Sequence, residues 1–147
     1  MPAPAPLSPE SLGGRITLHS DLMAIRHGLA QLLAMSPLRE LSDAGRGTAE
    51  IVLAEALNNI VEHAYADCSG DVCVDVTRCD GDILCQIRDH GRPMPGGTPP
   101  NGDLLPFDSG DLPEGGFGWF LIRTLARDLS YHRDGAENVL IFRLDAV

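Results

Sequence analysis

Two side chains four residues apart, Glu55 and Asn59 in the stretch LAEALNNIVEHAYAD, have the types and spacing to act on one ligand. Residues at i and i+4 of a helix stack on the same face. A carboxylate there can take a proton from a hydroxyl or water. An amide oxygen suits Mg2+, which keeps water and phosphate oxygens as its other ligands. Taken alone, the pair reads as a solvated helix stripe.

Two further signals change that reading. In DILCQIRDHG the residues Ile83, Cys85 and Ile87 alternate, and parity puts Asp89 on the same inward side. A carboxylate on the core side is costly unless it is hydrogen-bonded. It can accept from the exocyclic amine of adenine, while Gly91 beside it lets a base approach the backbone. Further on, Gly115, Gly116 and Gly118 open the helical run GGFGWFLIRTL. A glycine-rich helix N-terminus offers free N–H groups and the positive end of the dipole to phosphates. Singly, a D-x-G is most often a turn and a Gly-Gly-x-Gly is a weak signal. In this order, with an irregular stretch between the second and third, they point to a nucleotide.

The elements that must position these residues follow from the pattern. RITLHS reads as a short strand. A helix follows from Ser20, with Leu22, Ile25, Leu29, Leu32 and Leu33 at helical spacing until Pro37. A second helix is expected from about 48 to 66, its core stripe made by Leu53, Leu57, Ile60, Val61 and Ala64, with Glu55, Asn59 and Glu62 beside it. His63 and Tyr65, near its end, are assigned to packing. Val72, Val74 and Val76 alternate with polar residues up to Asp80-Gly81, a hairpin turn signal. From Gly91 to Gly116 periodicity is lost and six prolines occur, the mark of a lid or an insert. A helix with Trp119, Ile122, Leu125 and Ala126 comes next, then two strands around LSYHR and NVLIFRL, joined at DGAE. Short turns between sequential strands imply an α+β fold, a two-layer α/β sandwich whose mixed, mostly antiparallel sheet carries the helices on one face.

Composition bounds the rest. The 147 residues suit one domain. The expected division is a disordered tail over 1–14, holding four of the eleven prolines, and a domain over 15–147 with a lid at about 92–115. Net charge is −10, from 21 acidic and 11 basic residues, and every basic residue is arginine. Such a surface repels phosphate backbones, which argues against nucleic acid. Without lysine there is no P-loop of the Walker type. No run reaches membrane-spanning length and no signal peptide is visible, so a cytoplasmic protein without a membrane partner is expected. Cys68, Cys73, Cys79 and Cys85 form no C-x-x-C pair and read as free thiols in or near strands.

The stretches EALNNIVEHAY, RDHGRPMP and LPEGGFGWFLIRTL resemble the N, G1 and G2 boxes of the GHKL (Bergerat-fold) superfamily, which includes histidine kinases, gyrase and mismatch-repair ATPases. Within it they are most similar to the small anti-sigma-factor serine/threonine kinases of bacterial sporulation and stress responses. The resemblance covers about residues 15–145. It implies an ATP and Mg2+ site in which Glu55 is the catalytic base, Asn59 the metal ligand and Asp89 the adenine anchor with Gly91 its neighbour. Gly116 and Gly118 would contact phosphate and Gly115 would hinge the lid. Asp89-His90-Gly91-Arg92-Pro93 replaces the D-x-G-x-G usual in histidine kinases and fits the anti-sigma branch, whereas Phe117 and Trp119 make the third box bulkier than expected.

The implied function is phosphorylation of a small STAS-domain antagonist protein, alternating with capture of a sigma factor, in a chain that could dimerise. The domain is expected to stand alone, since the N-terminal tail has no room for the helix pair that carries a histidine kinase's target. A non-catalytic ATP-binding interaction module and a stand-alone GHKL ATPase are the alternatives.

Overall fold

The computed structural model describes residues 13–100 and 116–146. Most of the expected tail and residues 101–115 of the expected lid, Gly115 among them, lie outside that range. Strand β1 is Gly13–His19, so Gly13 and Gly14, read from sequence as the end of the tail, belong to a strand. Helix α1, Leu22–Leu33, starts later than its apolar spacing suggests. Asp21 caps it by accepting from the Ala24 amide at 2.9 Å, while Ser20 is committed elsewhere, exchanging hydrogen bonds with the Gly70 backbone.

Helix α2, Asp43–Asn59, starts earlier than 48. The glycines at 45 and 47 lower its helix propensity, but the Ser42 side chain accepts from the Gly45 amide and burial of Ala49, Val52, Leu53, Ala56 and Leu57 decides the outcome. The chain then widens into a π-helical turn, Ile60–Ala64, closed by the Tyr65 amide donating to Ile60 O. The extra residue shifts the phase of everything after Asn59. His63, assigned to packing, is instead exposed, whereas Tyr65 is buried as expected.

Strands β2, Asp71–Cys79, and β3, Asp82–Asp89, form the expected hairpin. Asp80 and Gly81 both take positive φ, the geometry of a two-residue turn matched to strand twist. Helix α3 is Gly116–Leu125, followed by β4, Arg127–Asp134, and β5, Glu137–Asp145. The sheet order is β1-β2-β3-β5-β4, and all four pairings are antiparallel. The fold is the α+β two-layer sandwich, and its sheet contains no parallel pairing among the described residues.

One face of the sheet supplies Val72, Val74, Val76, Ile83, Cys85, Ile87, Phe142 and Leu144 to the core, all nearly inaccessible. Against it pack Ile25, Leu29 and Leu32 of α1, Val52, Leu53 and Leu57 of α2, and Trp119 and Ile122 of α3. Burial of each large aliphatic side chain is worth about 1.5–3 kcal/mol, so the layer contact fixes the helix positions. The four cysteines are free: Cys73 and Cys79 in β2, Cys85 fully buried in β3 and Cys68 exposed in the loop after the π turn. Burial pushes the Cys85 thiol far up, so it is an inert core group. Among the described residues no helix is long and apolar enough to cross a membrane.

Candidate functional site

The inward parity of β3 ends on Asp89, which is 4% exposed. Its Oδ1 accepts from the Gly91 amide at 2.9 Å and from Asn138 Nδ2 at 2.8 Å, leaving Oδ2 for a ligand. Burial raises the Asp89 pKa; the two hydrogen bonds and the nearby His90 and Arg133 oppose that rise.

Asp89 lines a cavity of about 650 Å3 between the sheet and the α2–α3 layer. Ile60, Met94, Trp119 and Leu140 give it apolar walls, and Asn59 lines it as well. That volume and a mostly apolar lining with few polar groups are typical of small-molecule sites. His63, turned out by the π turn, sits at its wall.

Glu55 and Asn59 are both half-buried, so the stripe they share is not a freely solvated one. The Asn59 Nδ2 donates to Glu55 O at 2.9 Å, which orients the amide and leaves Oδ1 as its acceptor end. Gly118, in the first turn of α3, lies directly over them. A Cβ there would sit 2.8 Å from Glu55 Oε2 and 3.2 Å from Asn59 Nδ2. The fold therefore brings Glu55, Asn59 and Gly118 together, with the backbone N–H groups of the ten-residue α3, beginning at Gly116, alongside.

Gly91 has a packing role that the sequence did not show. A Cβ at Gly91 would lie 2.4 Å from Ala64 O, and the next amide, Arg92 N, donates to that same carbonyl at 2.8 Å. The close approach that glycine permits here includes one to the π turn.

Sequence reasoning missed the residues around Asp89. Asn138 is 3% exposed and stands opposite Asp89 in the β3–β5 register; Tyr131 and Arg133 of β4 bind its Oδ1. A signal was present: Leu140, Phe142 and Leu144 face the core, and the same parity puts Asn138 inward, a polar residue where an apolar one is the rule.

These features define a nucleotide-binding domain of the GHKL type, and the comparisons agree. The family model for the histidine kinase-like ATPase domain matches residues 17–144, and the chain belongs to that family. It is also similar to a serine-protein kinase, RsbW, of Bacillus mycoides (strain KBAB4), with 29% identity over 96 residues. That match covers 63% of this chain and 59% of the relative.

Proposed function

We propose that this protein binds Mg-ATP in the 650 Å3 cavity and transfers the terminal phosphoryl group to a serine or threonine of a small STAS-type antagonist, and that in its other state it holds a sigma factor. The observation that carries the nucleotide part is that one cavity is lined by both Asp89 and Asn59, with Glu55 and Gly118 at the Asn59 end. The kinase part is supported by the similarity to the serine-protein kinase and by the presence of Glu55, since binding alone requires no base.

The residues fit the group they would hold. Asp89 Oδ2 accepts from the exocyclic amine, and the apolar walls enclose the ring. Asn59 Oδ1 would be the protein's oxygen ligand to magnesium, which when bound would neutralise phosphate charge. The absence of a Cβ at Gly118 lets the first turn of α3 lie directly against Glu55 and Asn59, which brings the N–H groups of that helix end to the side of the site where phosphates would be held. Glu55 takes the proton of the incoming hydroxyl as its oxygen bonds to phosphorus. The bond to the bridging oxygen breaks, and ADP leaves with the electron pair. The segment of about 92–115, hinged at Gly115, would close over the phosphates as a lid. A cytoplasmic setting and a possible homodimer belong to the same reading.

The test is incubation of the purified full chain with labelled ATP, Mg2+ and candidate antagonist proteins. Label on a serine or threonine is the expected result. Partner capture without label would make the chain a binding module. Phosphate release without any acceptor would make it a stand-alone ATPase.

A further inference from the structure

The chain just after Asp89, Gly91 to Met94, runs along the cavity, with Arg92, Pro93 and Met94 among the residues that line it. Its backbone is held by two side chains of β4 and one of β5. Asn138 Nδ2 donates to Arg92 O at 2.9 Å and, more weakly, to Gly91 O at 3.3 Å, besides its 2.8 Å bond to Asp89 Oδ1. Its Oδ1 accepts from Tyr131 Oη at 2.5 Å and Arg133 Nη1 at 2.9 Å. Tyr131 Oη in turn accepts from the Met94 amide at 3.0 Å, and Arg133 Nη1 donates to Gly91 O at 3.0 Å.

This network admits one orientation of the Asn138 amide. Rotating it by half a turn would set Oδ1 against a carboxylate and two carbonyl oxygens and Nδ2 against two donors. The amide thereby fixes the Asp89 carboxylate, since Oδ1 of Asp89 is taken by Asn138 and the Gly91 amide and only Oδ2 stays open. A carboxylate held in one plane presents its acceptor at one point, which favours an amine on the base and disfavours a carbonyl there.

We propose that Asn138 and Tyr131 are positioning residues that join the base anchor Asp89 to the strap Gly91–Met94, so that base discrimination and the placement of this cavity wall depend on one hydrogen-bonded unit. The inference rests on the ATP reading for its ligand but not for its network. Neither side chain is assigned to touch the reacting atoms.

The test uses the full chain with Tyr131→Phe, which keeps the ring and removes the hydroxyl, and Asn138→Ala as a second variant. Two measurements are made. Amide hydrogen exchange at Met94 in the nucleotide-free protein reads the strap. The ratio of affinities for Mg-ATP and Mg-ITP, whose base carries a carbonyl where adenine carries an amine, reads the anchor. In Tyr131→Phe the Met94 amide should exchange about tenfold faster and the ATP preference should fall about fivefold, the worth of roughly one hydrogen bond. Asn138→Ala should lower the preference further. An unchanged ratio in Tyr131→Phe overturns the coupling even if Met94 exchange accelerates, and unchanged Met94 exchange overturns the strap tie. If the wild type binds neither nucleotide, the ATP reading fails, and the exchange measurement still decides whether the unit holds the strap.

Discussion

Asn138 lies directly across the β3–β5 ladder from Asp89 and donates to its carboxylate at 2.8 Å, both residues being almost wholly shielded from solvent. Even so, burial keeps the Asp89 pKa above its ordinary value. Ionising Asp89 therefore costs more in the folded chain than in water, and a ligand donating a hydrogen bond to Oδ2 would offset part of that cost.

The first prediction is a pH dependence of stability. A carboxyl whose pKa is higher in the folded than in the unfolded protein binds more protons when folded, so its contribution to stability falls as pH rises from the ordinary carboxylate value through the raised one. Asp89→Asn removes the ionised form. Without nucleotide at pH 7 the variant should unfold at or above the wild-type temperature. The difference should close as pH falls to about 4, near the unperturbed carboxylate pKa. A variant that melts well below the wild type at pH 7 would show that the charge is stabilising where it stands.

The same substitution should have the opposite effect on the ligand. Exchanging the acceptor for an amide weakens one charge-assisted hydrogen bond in a shielded pocket, a loss of about 1.5–3 kcal/mol in ATP affinity. Calorimetry should find the loss with ATP and a smaller one with a base that lacks the exocyclic amine. Equal affinity for ATP in both proteins would take Asp89 out of the site.

Gly91 and Gly118 should respond differently to alanine. At Gly91 the new methyl meets the backbone of Ala64, which cannot step aside, so Gly91→Ala should destabilise the fold by about 1–3 kcal/mol or more. At Gly118 the nearest atom is the tip of the Glu55 side chain, which can turn away. Gly118→Ala should therefore melt within a few degrees of the wild type while displacing Glu55 and reducing turnover. Denaturant melts beside a transfer assay distinguish the two, and a Gly118→Ala protein of full activity would mean that Glu55 is not needed where it lies.

Much of this was legible in the sequence, for identifiable reasons. Alternation over 83–89 placed Asp89 inward, and the Asp80-Gly81 turn fixed the β2–β3 register, because both signals are local. The partners of Asp89 were not local: Asn138 is 49 residues away, and its place opposite the anchor depends on which strand lies next to β3. Nor could helical spacing foresee the π turn at Ile60–Ala64, whose apolar residues fit an ordinary helical pattern, or the exposure of His63 within it. Gly91 was read as room for a ligand, and a sequence cannot show that the Ala64 carbonyl also packs against it.

The last prediction concerns Glu55 and Asn59, which share a helix face but should separate in function. Asn59 is oriented by its own bond to Glu55 O, so Asn59→Ala removes the amide oxygen without disturbing the helix hydrogen bonds around it. Mg-ATP binding and phosphoryl transfer should fall together, because a metal held by Asn59 would neutralise phosphate charge both before and during transfer. Glu55→Ala should leave binding nearly intact and lower transfer by about 10² to 10⁴-fold, the usual contribution of a positioned base. Calorimetry and single-turnover transfer measured on the same preparations separate the two effects. Capture of a protein partner should survive Glu55→Ala if holding and phosphorylating are distinct acts of one surface. Transfer at the wild-type rate in Glu55→Ala would leave the carboxylate as an ordinary half-buried helix residue, and the proton would need another acceptor.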